Sequence, residues 1–146
     1  MIESKPNAIQ LSSGVIITEG DTATSENVVT DEMIEAAAVL SGDRNSIHFD
    51  DSSAKKRGFV SRIAHGGITV FFISALIGTK LPGDGTVAIQ IENLKFTGAV
   101  YPDSTVTTKV RVTKVNRRGL VWLDCKCMVR HNTVATCQAV VVAPIG

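Results

Sequence analysis

Residues Ile68 to Leu81 read ITVFFISALIGTKL, and this run leaves the chain few options. Ile68, Val70, Phe71, Phe72, Ile73, Leu76 and Ile77 cover every side of a helix, so no polar face remains for water. The β-branched residues would also allow a strand, but the run is longer than strands usually are. A helix of this length is about 21 Å long, too short to cross a bilayer, and the run contains a Gly and a Lys. It therefore predicts a buried core helix, with other elements built around it. Pro82-Gly83-Asp84-Gly85 stops it.

Beyond the helix the chain reads as β structure. Thr86 to Phe96 alternates in part, and Val100 to Asp103 makes a turn. Thr105 to Val115 (TVTTKVRVTKV) alternates Val with Thr, Lys and Arg, the pattern of a half-buried strand. Asn116 to Gly119 turns the chain, and Leu120 to His131 and Thr133 to Val142 are two further strands with Asn132 between them. Upstream, residues 1 to about 10 are polar and predicted to fray, and Gly14 to Thr18 allows an extra short strand. Thr22 to Thr30 reads as a strand. Thr30 then caps a helix, with Asp31 and Glu32 in the first turn, that ends near Gly42. Met33, Ala36, Ala37 and Leu40 share one face of it at helical spacing. The expected class is α+β: a partly ordered N-terminal extension over 1–20, then one domain over 21–146.

Charge and cysteine content exclude several roles. The formal net charge is +1, which argues against a nucleic-acid or membrane-surface partner. The short run Lys55-Lys56-Arg57 reads either as a solvated loop or as a contact for a phosphorylated ligand. The first twenty residues lack a secretory pattern, and three cysteines with no signal suggest reduced thiols and a cytoplasmic protein. Cys125 and Cys127 lie two apart on a strand, so they face one side together, as small hydrophobes.

The chemistry gathers in SGDRNSIHFD, Ser41 to Asp50. Asp43 follows the end of a helix, with Gly42 permitting a tight turn, and Asn45 and Ser46 continue as turn residues. His48 is the natural proton carrier at neutral pH, and a nearby carboxylate sets its tautomer. Spacing alone leaves two readings open, a turn with incidental polar residues or an acid/base pair. Ala64-His65-Gly66-Gly67 directly precedes the apolar run. Free N–H groups at a helix start, with glycines permitting close approach, suit a developing oxyanion; equally, Gly66 and Gly67 could serve only close helix packing. His48, Asp50, Asp51 and His65 match no standard metal-site spacing. A Ser74-His48-Asp43 hydrolytic triad is poor, because Ser74 lacks a nucleophile elbow and is expected to be buried.

The stretch SGDRNSIHFDDSSA, followed by HGG and the apolar helix, resembles the R-specific enoyl-CoA hydratases, the MaoC-like dehydratases of the hot-dog fold. Their signature runs Ser/Thr-Gly-Asp-x-Asn-Pro-aliphatic-His, then five residues, then Ala or Ser. This chain matches it at Ser41, Gly42, Asp43, Asn45, Ile47, His48 and Ala54, with His65-Gly66 following as the family's His-Gly pair. The resemblance runs from about Thr22 to Val142.

That resemblance implies an antiparallel sheet wrapped around the long helix. It also implies reversible hydration of trans-2-enoyl thioesters to R-3-hydroxyacyl thioesters. Asp43 and His48 would be the catalytic pair, Gly66 N–H the oxyanion donor, and Asn45 the holder of the loop and of the water. His65 would play a supporting part, and Ser74 would bond Asp43 unless it bonds its own helix backbone instead. No metal or cofactor of the protein's own is implied; CoA or phosphopantetheine arrives with the substrate, on CoA or acyl-carrier protein. A homodimer joined sheet edge to sheet edge is implied too. Three departures stand out: Ser46 replaces the usual Pro, Ala36 to Val39 replace a usual aromatic, and Gly67 replaces a bulkier apolar residue. The last two would enlarge or reshape an acyl pocket. The alternatives are a hot-dog thioesterase and a non-catalytic acyl-thioester-binding module.

Overall fold

The computed structural model describes residues 4–146. Its elements are β1 (Ala8–Gln10), β2 (Ile16–Thr18), β3 (Thr22–Val28), α1 (Asp31–Ser41), a 3-10 turn (Ser46–His48), α2 (Asp51–Lys56), α3 (Gly66–Thr79), β4 (Val87–Phe96), β5 (Thr105–Val115), β6 (Leu120–Val129) and β7 (Asn132–Val142). Five strands form one antiparallel sheet in the order β3-β5-β6-β7-β4. The alternation in β5 is realised: Val106, Thr108, Val110 and Val112 are buried and Lys109 and Arg111 are exposed. A register shift after Val112 turns Val115 inward as well. Each such aliphatic side chain contributes roughly 1.5–3 kcal/mol relative to leaving it in water.

Helix α3 lies in the curve of that sheet, against β3, β5 and β6, with Ile68, Ile73, Leu76 and Ile77 buried. The expected α+β wrap of an antiparallel sheet around a central apolar helix is what forms. The helix is not buried all round, however. Phe71 is 58% exposed and Ser74 and Ala75 are exposed with it. In the sheet, the edge strand β4 is likewise exposed along its whole length, including Val87, Ile89, Ile91, Leu94 and Phe96.

Other local expectations need correction. Helix α1 starts and stops as its caps dictate. The Met33 N–H donates to Thr30 Oγ1 at 3.2 Å, and Gly42, at φ 78, donates its N–H to the Ala38 carbonyl. Its buried stripe is Ile34 and Ala38, though, while Ala36 and Leu40 are exposed and Met33 and Ala37 half-buried. The segment after Gly42 holds the 3-10 turn and α2. The N-terminal segment does not fray from Ala8 onward. Strands β1 and β2 pair as a hairpin, and Ile9, Leu11 and Ile17 join the main core. The turn between β6 and β7 is at Arg130 and His131, with Arg130 at φ 55, so Asn132 opens β7.

Candidate active site

The segment from Ser41 to His48 is folded by its own side chains. Ser41 donates its hydroxyl to the Ala37 carbonyl at 2.6 Å and accepts the Asp43 N–H at 3.0 Å. Asp43 Oδ1 accepts the Asn45 N–H at 3.0 Å, and Asn45 Oδ1 accepts the Ile47 N–H at 3.2 Å. These three Ser, Asp and Asn turns aim the carboxylate and start the 3-10 turn without a proline. Asn45 thus caps the start of the 3-10 turn.

Backbone pairing then brings the loop to the start of α3. The Ile63 N–H donates to the Ile47 carbonyl at 3.0 Å, and the Ala64 N–H to the Val100 carbonyl at 2.7 Å. Asp50 and Asp51 serve this scaffold. Asp50 accepts the Ser53 N–H at the start of α2, and Asp51 accepts the Arg62 N–H at 2.9 Å. The Arg62 guanidinium also pairs with Asp31 at the first turn of α1.

His48 is buried, and its orientation is set by a backbone group. Its Nδ1 lies 2.7 Å from the Ile63 carbonyl, which has only lone pairs to offer, so Nδ1 carries the proton. Neutral His48 therefore presents an unprotonated Nε2, 3.6 Å from Asp43 Oδ2. That gap is long for a direct hydrogen bond and suits a water that donates one hydrogen to each atom. Asp43 stands at the rim, its side chain 48% exposed. The Asn45 N–H, assisted by the charges on His48 and His65 when these are protonated, holds its carboxyl below the usual range, so it is ionised at neutral pH.

His65 is the second buried imidazole. Its Nε2 donates to the Asp43 carbonyl oxygen at 2.9 Å, and its ring stacks on His48 at 3.8 Å between centroids, 25° from parallel. Its Nδ1 is buried without a partner among the described residues. Ligand atoms of Asp43, His48 and His65 lie within 4.8 Å of one another, the spacing a metal ion tolerates. Stacked rings point their lone pairs side by side, however, not at one centre about 2.0–2.1 Å from each nitrogen.

Gly66 and Gly67 open α3, with His65 at the cap position making no side-chain cap bond. Among the described residues neither glycine N–H has an acceptor. Beside them lies a mostly apolar cavity of about 330 Å³, walled in part by His48, Gly66, Gly67, Phe96 and Val134. The two glycines differ. A Cβ on Gly66 would meet the Phe96 ring at 2.8 Å, whereas one on Gly67 would meet nothing within 4 Å. Close packing thus explains the glycine at 66 and not the one at 67.

The structure brings together Asp43, Asn45, His48, His65 and Gly66. It does not bring Ser74. That serine is exposed rather than buried and makes no side-chain hydrogen bond among the described residues, so the expected bond to Asp43 is absent. The serine that does bond Asp43 is Ser41. Two contributors carry no mark in the sequence pattern. Ile63 acts through a backbone carbonyl, which no side-chain identity signals. Phe96 ends a strand whose alternation is broken.

The chain as a whole is similar to known proteins. A family model described as "MaoC like domain" matches residues 16–136. An (R)-specific enoyl-CoA hydratase of Rhodospirillum rubrum is 36% identical over 129 residues, covering 88% of this chain and 89% of that protein. A 3-hydroxybutyryl-CoA dehydratase of Methylorubrum extorquens is 35% identical over 126 residues, covering 86% and 80%. Among solved structures, the (R)-hydratase of Aeromonas caviae involved in PHA biosynthesis superposes with a TM-score of 0.83 at 28% identity, covering 88% of this chain and 98% of that one.

Proposed function

The chain belongs to the MaoC-like dehydratase family, with the hot-dog fold, and from that premise we propose that it adds water to trans-2-enoyl thioesters and, in reverse, dehydrates R-3-hydroxyacyl thioesters. One observation carries the reading. The Nε2 of neutral His48 lies 3.6 Å from an ionised Asp43, so that one water beside the pair reaches both, and His48 and Gly66 line the same cavity.

The substrate carbonyl takes the Gly66 N–H. A water held between Asp43 Oδ2 and His48 Nε2 lies over the double bond. As its oxygen bonds the β-carbon, His48 Nε2 takes its proton, and electrons move through the α-carbon onto the thioester oxygen. The helix-start N–H stabilises that oxyanion; a donor so placed is typically worth about 3 kcal/mol. His48 then returns a proton to the α-carbon, so one OH and one H have been added. Asp43, being ionised, has no proton to deliver. It orients the water and favours the imidazolium while it lasts. The R configuration rests on the names of the relatives. The chemistry uses only side chains and backbone, and CoA or phosphopantetheine arrives with the substrate.

The finer features rest on the same geometry. The substrate is a CoA thioester first, with carrier-protein thioesters as the second class to try. A homodimer is the proposed form, because a long edge strand with exposed apolar side chains needs a cover. Free buried cysteines suit a cytoplasmic protein, and no helix among the described residues is long and apolar enough to cross a membrane. Incubation with crotonyl-CoA separates the readings: 3-hydroxybutyryl-CoA supports the hydratase, free CoA the thioesterase, and unchanged substrate a binding module.

A further inference from the structure

Phe96 is the last residue of β4, and its ring lies against the first residue of α3. The ring atoms Cε1, Cζ and Cδ1 stand 2.8, 2.9 and 3.1 Å from the place a Gly66 Cβ would occupy. A large apolar side chain on an edge strand would ordinarily point wherever the strand's alternation sends it. Here the alternation is reset. Glu92 pairs with Gln138 and Lys95 with Thr136, so three steps along β4 match two along β7. The extra residue falls at Asn93 and Leu94, with Asn93 at φ 52. Without this bulge Lys95 would face the helix and Phe96 the opposite side. With it, Phe96 pairs with Ala135 and faces Gly66. The next residue is tied down as well: Thr97 donates its N–H to the Val134 carbonyl at 2.9 Å and its hydroxyl to the Thr133 carbonyl at 2.8 Å.

We propose that Phe96 is a positioning residue for the oxyanion donor: its ring packs on the first residue of α3 and fixes the direction of the Gly66 N–H. This rests on the hydratase reading, since only an oxyanion gives that N–H a task. The physical reason is that a donor already held in place stabilises a developing charge without reorganising at the moment of reaction. The ring acts through Gly66 and need not touch the reacting carbons. Its effect therefore belongs in turnover rather than in substrate capture. The same contact accounts for glycine at position 66, where the backbone φ is ordinary and only the ring forbids a side chain.

The test is a double-mutant cycle on crotonyl-CoA hydration with the full chain, using Phe96→Ala, Gly66→Ala and the pair, with Phe96→Leu as the conservative variant. Gly66→Ala keeps the backbone N–H and adds only the colliding methyl. Phe96→Ala is expected to lower kcat about tenfold with KM within about twofold, and Phe96→Leu to recover most of the loss. Gly66→Ala alone is expected to lose about tenfold or more, and the double variant to be no worse than Phe96→Ala, because the collision is gone. Losses that simply multiply, or a Phe96→Ala kcat equal to wild type, would overturn the proposal while leaving the hydratase reading intact. Wild-type protein inert towards enoyl thioesters would overturn both. If Phe96→Ala does not fold, kcat of Phe96→Leu against the Gly66→Ala, Phe96→Leu pair decides on the same terms.

Discussion

The imidazole of His65 lies flat on that of His48, 3.8 Å between centroids, while its Nε2 donates to the backbone carbonyl of Asp43. One side chain thus touches both members of the proposed pair, gripping the acid by its backbone and the base by its ring. His65→Ala should leave the Asp43 carbonyl without its donor and the ring of His48 without its support. The expected result is a loss of about 1–3 kcal/mol in denaturant unfolding together with a kcat at least tenfold lower. Equal stability and turnover in the variant would count against a positioning role.

Ser46 stands at the first position of the 3-10 turn, where the signature it resembles has proline. Its N–H has no acceptor among the described residues, and the preceding Asn45 is already extended at φ −51, ψ 131, as a residue before proline must be. Ser46→Pro is therefore expected to stabilise the fold by about 0.4–1 kcal/mol, read as a higher denaturant midpoint, with activity retained. Destabilisation would mean that the loop needs freedom at this point.

The carboxyl of Asp43 should titrate below its ordinary value of 3.8, because the Asn45 N–H and then the two imidazoles favour the anion. A depressed folded value contributes stability that is present above the unfolded value and is lost as pH falls through the folded one, so the window lies below 3.8. NMR titration of the side-chain carboxyl checks this. Asn45→Pro, which deletes the donor, should move the midpoint upward; an unmoved midpoint would assign the shift to something else.

Much of this site was legible in the residues, and the exceptions have physical causes. The caps of α1, the helix through Ile68 to Thr79 and the alternation of β5 follow from local propensity and pattern, which need no partner. The buried face of α1 does not. Met33, Ala36, Ala37 and Leu40 have proper helical spacing, but Ile34 and Ala38 are what the neighbouring elements cover. Asp43, His48 and Gly66 carry their chemistry in their identities. Ile63 contributes only a carbonyl, and Phe96 reaches Gly66 through a bulge that alternation cannot forecast. Ser74 failed for a related reason: spacing along α3 does not say which stripe the sheet leaves uncovered.

Gly67 lines the cavity with open space where a side chain would start. Gly67→Leu should fill that space. Crotonyl-CoA turnover is expected to stay within about threefold, while hydration of a trans-2-octenoyl thioester falls about tenfold or more. Equal effects on both substrates would show that the acyl chain runs elsewhere.

The exposed edge of β4 should be the seam between two copies. Ile91→Lys puts a charge in the middle of that strand, where Ile91 pairs with Ala139 of β7 on its other side. Light scattering is expected to find a dimer for wild type and a monomer, or a weakened dimer, for the variant. A wild-type monomer at working concentration would contradict the seam.

The most direct measurement is the initial rate at which crotonyl-CoA loses its enone absorbance, taken side by side for wild type, His48→Ala and Asp43→Asn. Wild type should hydrate the substrate to 3-hydroxybutyryl-CoA, and His48→Ala should be slower by about 10²–10⁴-fold with its fold intact. A His48→Ala protein turning over near the wild-type rate would mean that the water is activated somewhere other than between Asp43 and His48.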